Sequence, residues 1–242
     1  MVASACRLDK ILSNLGLTTR SKCMDYIIRN NVRVEGKMAR PKDHVDPHLV
    51  TSNGEPLPYL EHLNILLNKP RGYVCSRARE HENKIVYDLL PSSFLHRRPP
   101  LVPAGRLDKW ASGALVLSQD GDLIQRLTSP SKKSGALGKV YHILLQRPLT
   151  GEESKIFESG ELILRSEQKP CKPAILEQLD DSGHLIRVTL YEGRYHQLRR
   201  MLAAIGNKTV TIERKQIGPI VLGDLPIGCW REITDAEVEM IR

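Results

Sequence analysis

The chain begins with two segments whose hydrophobic positions repeat with the period of a helix. Their apolar positions are Leu8, Ile11, Leu12 and Leu15, followed by Cys23, Met24, Ile27 and Ile28. Spacings of three and four residues place each set on one face of a helix. Gly16 can end the first helix, and Thr18 or Thr19 provides an N-cap for the second. The alternating residues 32–34 then predict a strand, and Glu35-Gly36 predicts the turn into a partner strand.

A cluster of turn-forming residues separates this region from the rest of the chain. Residues 53–59 read Asn-Gly-Glu-Pro-Leu-Pro-Tyr and show no hydrophobic period. Such a composition is typical of a boundary between domains. We therefore predict an N-terminal domain over residues 1–52, a linker over residues 53–62 and a larger domain over residues 63–242.

Strands and helices alternate irregularly in the larger domain. Apolar runs predict strands at residues 63–67, 114–117, 140–145 and 186–191. Helices are predicted at residues 85–90, 122–127 and 196–205, and the Ser-, Lys- and Gly-rich residues 129–138 predict a loop. Because short turns join several strands, we expect an α+β fold with a mostly antiparallel mixed β-sheet flanked by helices.

The composition of the chain indicates its net charge and its cellular compartment. The 242 residues are 40% hydrophobic, and 36 basic against 28 acidic residues give a net charge of +8. A basic balance indicates a polyanionic partner, with an anionic membrane surface as the alternative. No run is apolar over the length of a membrane helix. Five cysteines without a C-x-x-C pair, and no signal peptide, predict reduced thiols in a cytoplasmic protein.

One acidic residue stands at the entrance to a predicted buried strand. Residues 103–117 read Pro-Ala-Gly-Arg-Leu-Asp-Lys-Trp-Ala-Ser-Gly-Ala-Leu-Val-Leu, with Asp108 in the polar part before the apolar run. A carboxylate on a rigid element is well placed for chemistry. An aspartate between two elements is also a common turn residue that accepts backbone N–H bonds. The residues alone leave both interpretations open.

Five segments, in order along most of the chain, resemble the RsuA/RluB/RluE/RluF family of pseudouridine synthases. They are residues 68–76 (Asn-Lys-Pro-Arg-Gly-Tyr-Val-Cys-Ser), 105–113 (Gly-Arg-Leu-Asp through Ser-Gly), 138–141 (Gly-Lys-Val-Tyr), 192–201 (Glu-Gly-Arg-Tyr-His-Gln-Leu-Arg-Arg-Met) and 228–234 (Gly-Cys-Trp-Arg-Glu-Ile-Thr). Residues 7–10, 19–21 and 32–36 resemble the S4 RNA-binding domain. This resemblance implies the pseudouridine synthase fold behind an S4-like α/β domain. It also implies isomerisation of uridine to pseudouridine in ribosomal RNA, without a cofactor.

The resemblance also implies roles for individual residues. Asp108 matches the essential carboxylate of the family, acting either as a nucleophile or as a base at the ribose 2′ carbon. Arg199 matches the basic residue that pairs with this aspartate, and Tyr141 matches the tyrosine that stacks on the extruded uracil and takes part in removing its C5 proton. Without the resemblance, Tyr141 reads as a packed strand residue and Arg199 as surface charge.

A second set of residues is predicted to contact RNA. These residues are Arg7, Lys10, Arg20, Lys22 and Arg33 in the N-terminal domain, and Arg106, Arg194, His196, Gln197 and Arg200 in the larger one. By resemblance, Arg106 helps to hold the target nucleotide out of its helix. We expect His196 and Gln197 to order the start of a helix and to contact the RNA backbone. A solvated basic surface is the competing interpretation. No metal site is expected, because His196 has no second ligand at a suitable spacing.

Residues 192–207 are closer to the small-subunit members of the family, so 16S ribosomal RNA, free or in a pre-ribosomal particle, is the predicted partner. A large-subunit enzyme and a catalytically silent assembly factor are the alternatives. We expect no membrane partner and a monomer. The chain departs from the family after Asp108, where Trp110-Ala111 replaces a small residue and a threonine. This change puts catalytic efficiency in doubt more than the reaction itself.

Overall fold

The computed structural model describes residues 5–80, 82–128 and 137–241. Most of the predicted loop at residues 129–138 lies outside these ranges. The described residues form two compact units, residues 1–63 with 90–102 and residues 64–89 with 103–242. The crossing from the first unit to the second, between residues 63 and 64, directly follows the predicted linker at residues 53–62. The chain then returns to the first unit at residues 90–102, inside the predicted larger domain.

Helices and short strands alternate along both units. The α-helices are α1 Leu8–Asn14, α2 Cys23–Arg29, α3 Ser92–Leu95, α4 Gly121–Thr128, α5 Glu153–Ser159, α6 Gln197–Ala204 and α7 Asp235–Glu239. The strands are β1 Cys6–Arg7, β2 Arg33–Val34, β3 Lys37–Met38, β4 His44–Val45, β5 Val50–Ser52, β6 Glu55–Pro56, β7 Asn64–Lys69, β8 Tyr73–Val74, β9 Lys84–Ile85, β10 Val102–Pro103, β11 Ser112–Ser118, β12 Lys139–Leu145, β13 Ile175–Gln178, β14 Leu185–Leu190, β15 Thr209–Ile217, β16 Ile220–Val221 and β17 Trp230–Glu232. Short 3₁₀ turns occur at Arg20–Lys22, Pro47–Leu49 and Val86–Leu89.

The first unit packs α1 and α2 with a small antiparallel sheet of strand order β3-β2-β5-β6. The predicted face of α1 and half of that of α2 form its core, which includes Leu8, Leu12, Cys23 and Ile27, all without solvent exposure. Met24 and Ile28, predicted on the apolar side of α2, are exposed. The turn after β2 uses positive φ angles at Glu35 and Gly36, as the sequence predicted. The predicted linker differs from the structure at its start, because the Asn-Gly pair at residues 53–54 forms a two-residue hairpin turn between β5 and β6.

The predicted threonine cap of the second helix is wrong. A 3₁₀ turn at Arg20–Lys22 precedes α2, so Lys22 occupies the N-cap position. The Thr19 hydroxyl pairs with the Ser21 hydroxyl at 3.1 Å, and the Thr18 hydroxyl donates to the Thr19 carbonyl. Thr19 therefore stands at the start of the 3₁₀ turn without a capping hydrogen bond from its side chain, and neither threonine caps α2.

The second unit is built on one mixed sheet with strand order β13-β14-β12-β15-β11-β7-β17, and β16 extends it beside β15. Along this order β11 and β15 run parallel, and the other neighbouring pairs run antiparallel. This arrangement agrees with the predicted mixed sheet and flanking helices. Helices α4 and α7 contribute Leu123, Leu127 and Val238 to a core that also contains the apolar residues of β11.

Gly113 permits the close approach of β11 to β15. It pairs with Arg214 at φ +101°, and a Cβ atom there would lie 2.2 Å from the Arg214 carbonyl oxygen. Any other residue would push the two strands apart, because backbone rather than a movable side chain fills that space. The Ser-Gly that follows the Asp108 loop in sequence therefore fixes the distance from this loop to β15.

Candidate active site

A cavity of about 430 Å³ opens on the second unit beside the loop that carries Asp108. Its wall is formed by this loop, by β12 and β15, and by the segment that leads into α6. The lining residues that carry the discussion below are Arg106, Asp108, Tyr141, His196, Ile212 and Arg214. The cavity falls within the size range of small-molecule and cofactor sites, so one nucleotide base is a suitable occupant.

Lys69 holds the backbone of the Asp108 loop in place through hydrogen bonds. This lysine at the end of β7 has no solvent exposure. Its Nζ donates to the carbonyl oxygens of Pro70, Asp108 and Ala111 at 3.0, 3.1 and 2.7 Å, with a longer contact of 3.4 Å to Lys109. Burial lowers the pKa of the Lys69 ammonium to about 8. These bonds give Lys69 a structural role beneath the motif that it shares with Asn68 and Pro70.

Two basic side chains from the start of α6 approach the Asp108 carboxylate. His196 Nε2 lies 3.5 Å from Oδ1, and Arg199 Nε lies 3.9 Å from Oδ2. Arg199 also contacts the Thr209 hydroxyl at 3.4 Å. His196 precedes the helix in the left-handed region, with φ 49°, and this conformation turns its ring towards the loop. The carboxylate side chain is 34% exposed, so a substrate can reach it.

Tyr141 lies in the wall of the cavity. It sits in β12 opposite Arg214 of β15, and only 8% of it is exposed. Its burial fits a packed strand residue, and its position at the cavity fits a stacking partner for a base. Arg106, two residues before Asp108, lines the same cavity but exposes its side chain to solvent.

The sequence reading missed two neighbours of this site. Tyr195 stacks on His196 with ring centroids 3.9 Å apart and remains 71% exposed. Arg214 lies almost fully buried in β15 at the cavity wall. A signal for Arg214 was present, since it follows the buried Ile212 by two residues in the alternating part of β15.

Arg194 and Arg200, both predicted to contact RNA, are engaged within the protein. Their guanidinium groups pair with the two carboxylate oxygens of Glu167, and Arg194 also lies 3.2 Å from Glu192. The hydrogen bonds from Arg194, with the larger effect, and from Arg200 lower the pKa of Glu167 below its ordinary value. Gln197 is buried and bonds to Glu192 and to the Arg194 N–H, so it orders the start of α6 as predicted.

The predicted RNA-contacting residues of the first unit divide into two groups. Arg7 forms an ion pair with Asp9 at 2.6 Å, and Arg33 donates to the Gly36 carbonyl at 2.8 Å. These two side chains stabilise their own segments. The other members are Lys10, Arg20 and Lys22, which are exposed to solvent, as Arg33 also is.

Two absences concern only the described part of the chain. It contains no cluster of three or more His, Cys, Asp or Glu side chains arranged to hold a metal ion. No helix in residues 5–80, 82–128 and 137–241 is both long and apolar enough to cross a membrane.

Comparison with known proteins agrees with this geometry. A family model described as RNA pseudouridylate synthase matches residues 62–204. The chain is 36% identical over 241 residues to the uncharacterized RNA pseudouridine synthase YtzG of Bacillus subtilis (strain 168), covering 97% of this chain and 98% of that one. It is 35% identical over 240 residues to ribosomal small subunit pseudouridine synthase A of Haemophilus influenzae, covering 97% and 99%. A solved crystal structure of a pseudouridylate synthase matches with a TM-score of 0.68 and 34% identity, over 98% of this chain and 100% of that one.

The fold and these matches define an enzyme of RNA modification, a pseudouridine synthase. The chain belongs to the RNA pseudouridylate synthase family, and its full-length relatives place it among the RsuA-like members. The family resemblance predicted from the sequence is therefore confirmed.

Proposed function

We propose that this enzyme converts uridine to pseudouridine in small-subunit (16S) ribosomal RNA, with Asp108 as the essential carboxylate. The observation that carries the proposal is the placement of Asp108 at the cavity, 3.5 Å from His196 and 3.9 Å from Arg199. The target is supported by the full-length similarity to ribosomal small subunit pseudouridine synthase A of Haemophilus influenzae and of Escherichia coli (strain K12).

The reaction breaks the N1–C1′ bond of uridine, turns the base and rejoins it through C5. Asp108 acts either as a nucleophile at C1′ or as a base at C2′, and both roles need the ionised carboxylate. Arg199 places a permanent positive charge 3.9 Å from this carboxylate, and His196 lies 3.5 Å from it. The lysine-fastened loop keeps the carboxylate in place while the base moves. Because no group is added or lost, the reaction needs no cofactor.

The base reaches Asp108 only after leaving the RNA stack. Tyr141 offers a ring in the cavity wall on which the uracil stacks, and its hydroxyl takes part in removing the C5 proton. The exposed Arg106 side chain helps to hold the nucleotide outside its helix. These assignments follow the position of each residue at the cavity.

The first unit provides additional RNA contact through an S4-like domain in residues 1–52. Its two helices and small hairpin support this assignment, and Lys10, Arg20 and Lys22 are exposed for phosphate contact. Such contacts position the RNA without reading its sequence. Arg194 and Arg200 contribute phosphate contacts if RNA displaces Glu167. The enzyme acts as a monomer in the cytoplasm, on naked ribosomal RNA or on an assembling particle.

Mapping of pseudouridine tests the proposed target. Ribosomal RNA from cells with and without the gene is treated with a carbodiimide that marks pseudouridine, and reverse-transcription stops are compared across both subunits. We expect one small-subunit stop to vanish with the gene and to return with the wild-type copy, but not with Asp108→Asn.

The alternatives give different results. A lost stop in large-subunit RNA would replace the proposed target. A silent assembly factor would leave every stop in place, and the purified protein would form no denaturation-resistant complex with 5-fluorouridine-containing ribosomal RNA.

A further inference from the structure

Arg214 carries a buried guanidinium that is only partly satisfied. It lies in β15 and is 2% exposed. Its Nε donates to the Ala114 carbonyl oxygen at 2.7 Å, and its Nη1 makes a longer contact of 3.4 Å with the Arg106 carbonyl oxygen. Its Nη2 is buried and has no hydrogen-bond partner among the described residues. No carboxylate of the described chain forms an ion pair with this guanidinium.

The position of Arg214 relates it to both halves of the active site. Its backbone pairs with Gly113, which follows the Asp108 loop, and with Tyr141 on the opposite side. Arg214 lines the cavity together with Asp108 and Tyr141. Arg214 therefore belongs to the same cavity as the reacting carboxylate and the stacking ring.

A buried donor without an acceptor destabilises a folded protein, and a buried unpaired charge does so more strongly. Proteins retain such groups where another role offsets the cost. An arginine needed only to fasten the loop would be expected to place its remaining N–H groups on backbone carbonyls as well. The unpaired Nη2 instead indicates an acceptor that arrives with the substrate.

Pseudouridine formation supplies such an acceptor. When the N1–C1′ bond breaks, its electron pair stays with the uracil, and the negative charge spreads onto the two carbonyl oxygens of the base. We propose that Arg214 Nη2 donates to a carbonyl oxygen of the target uracil and stabilises the base while it is detached. This step rests on the pseudouridine synthase activity and on the proposed reaction at Asp108.

Two lysines add positive charge in the neighbourhood of Arg214. Lys139 also lines the cavity, and burial, followed by the charge of Arg214, lowers the pKa of its ammonium. Lys69 lies below the loop with no solvent exposure. A low-dielectric site that holds several cations stabilises negative charge better than water does.

The test combines Arg214 variants with modified substrates. Arg214→Met removes the charge and all hydrogen-bond donors. Arg214→Lys keeps the charge but loses the planar, branched set of N–H donors of the guanidinium. Arg187→Met is the matched control, because Arg187 lies in β14 of the same sheet, 42% exposed and paired with Glu177. Each protein reacts with a synthetic RNA around its mapped uridine that carries uridine, 4-thiouridine or 2-thiouridine. Single-turnover rates at saturating RNA and RNA dissociation constants are measured separately.

We expect Arg214→Met to slow the single-turnover reaction by about 10²-fold or more, the usual effect of losing one donor to a developing anion. RNA affinity should stay within about threefold of wild type. Sulfur is a weak acceptor, so one of the two thio substrates should slow the wild-type enzyme about tenfold and add no further loss in Arg214→Met. Such non-additivity shows that the variant and the modified oxygen share one interaction. Arg187→Met should behave as wild type.

Two results would overturn the proposal. One is that 4-thiouridine and 2-thiouridine each slow Arg214→Met by the same factor as they slow the wild-type enzyme. The other is a variant that loses only RNA affinity while its rate at saturation stays normal. Thermal unfolding checks each protein, and Arg214→Lys completes the same cycle if the methionine variant does not fold. The substrate carries whichever uridine the mapping identifies, so a large-subunit result would correct the target and leave this test intact.

Discussion

His196 Nε2 lies 3.5 Å from Oδ1 of Asp108, closer than any nitrogen of the arginine that the sequence assigned to this carboxylate. The ring reaches the loop because His196 takes a left-handed conformation immediately before α6. The carboxylate therefore has one permanent cation nearby and one that is charged only when protonated. Their separate contributions can be measured.

Arg199→Gln should lower kcat by about 10- to 100-fold, because the permanent positive charge beside the Asp108 carboxylate is lost. Arg199→Lys should recover part of this loss, and His196→Gln should cost less than Arg199→Gln. Tritium release from RNA labelled at uridine C5 measures each rate, with Arg187→Gln as the surface control. Equal rates for wild type and Arg199→Gln would show that Arg199 does not contribute to the reaction.

Asp108→Asn should abolish tritium release, with a fall of at least about 10³-fold, while folding and RNA affinity stay close to wild type. The amide keeps the shape of the side chain and loses both its nucleophilicity and its basicity. Asp122→Asn, on the exposed first turn of α4, is the matched control. A wild-type rate in Asp108→Asn would exclude the proposed role of this carboxylate.

Lys69 predicts a specific dependence of stability on pH. Its pKa is lowered to about 8 in the folded protein and is about 10.4 in an unfolded chain, so the unfolded state binds more protons between these values. The free energy of unfolding of wild type, relative to Lys69→Met, should therefore rise with pH across this window. The expected rise is on the order of 3 kcal/mol.

Denaturant unfolding at pH 7.5, 9 and 10.5 measures this difference. Lys155→Met is the control, because Lys155 is 73% exposed and pairs only with Glu152 on the surface of α5. A flat difference between wild type and Lys69→Met across the window would show that the buried ammonium keeps an ordinary pKa.

Glu167→Gln should strengthen RNA binding. The carboxylate now neutralises Arg194 and Arg200, and its removal frees two guanidinium groups for phosphate. The slope of log Kd against log salt should steepen by about 1 to 2. Glu177→Gln, which frees the surface Arg187, is the control for a simple gain of net charge. Unchanged affinity and slope in Glu167→Gln would show that these arginines do not reach RNA.

Much of the local structure followed from the sequence. The spacing of Leu8, Ile11 and Leu12 predicted α1, and the alternating residues before Glu35-Gly36 predicted β2 and its turn. The order of five motifs identified the family. Periodicity and turn chemistry act over a few residues, so they are readable without the fold. The threonine cap was wrong because a 3₁₀ turn competed for the same residues.

The sequence by itself determined many of the elements and the family, and it singled out Asp108 as the candidate carboxylate. The tertiary structure decided which side chains surround that carboxylate: His196 beside Asp108, Glu167 across Arg194, and Arg214 beneath the Arg106 carbonyl 108 residues away. A hydrophobic pattern shows which side of a strand faces the core, but not which other strand will lie against it. Partners far apart in sequence are set by sheet order and close strand approach, and these exist only once the chain has folded.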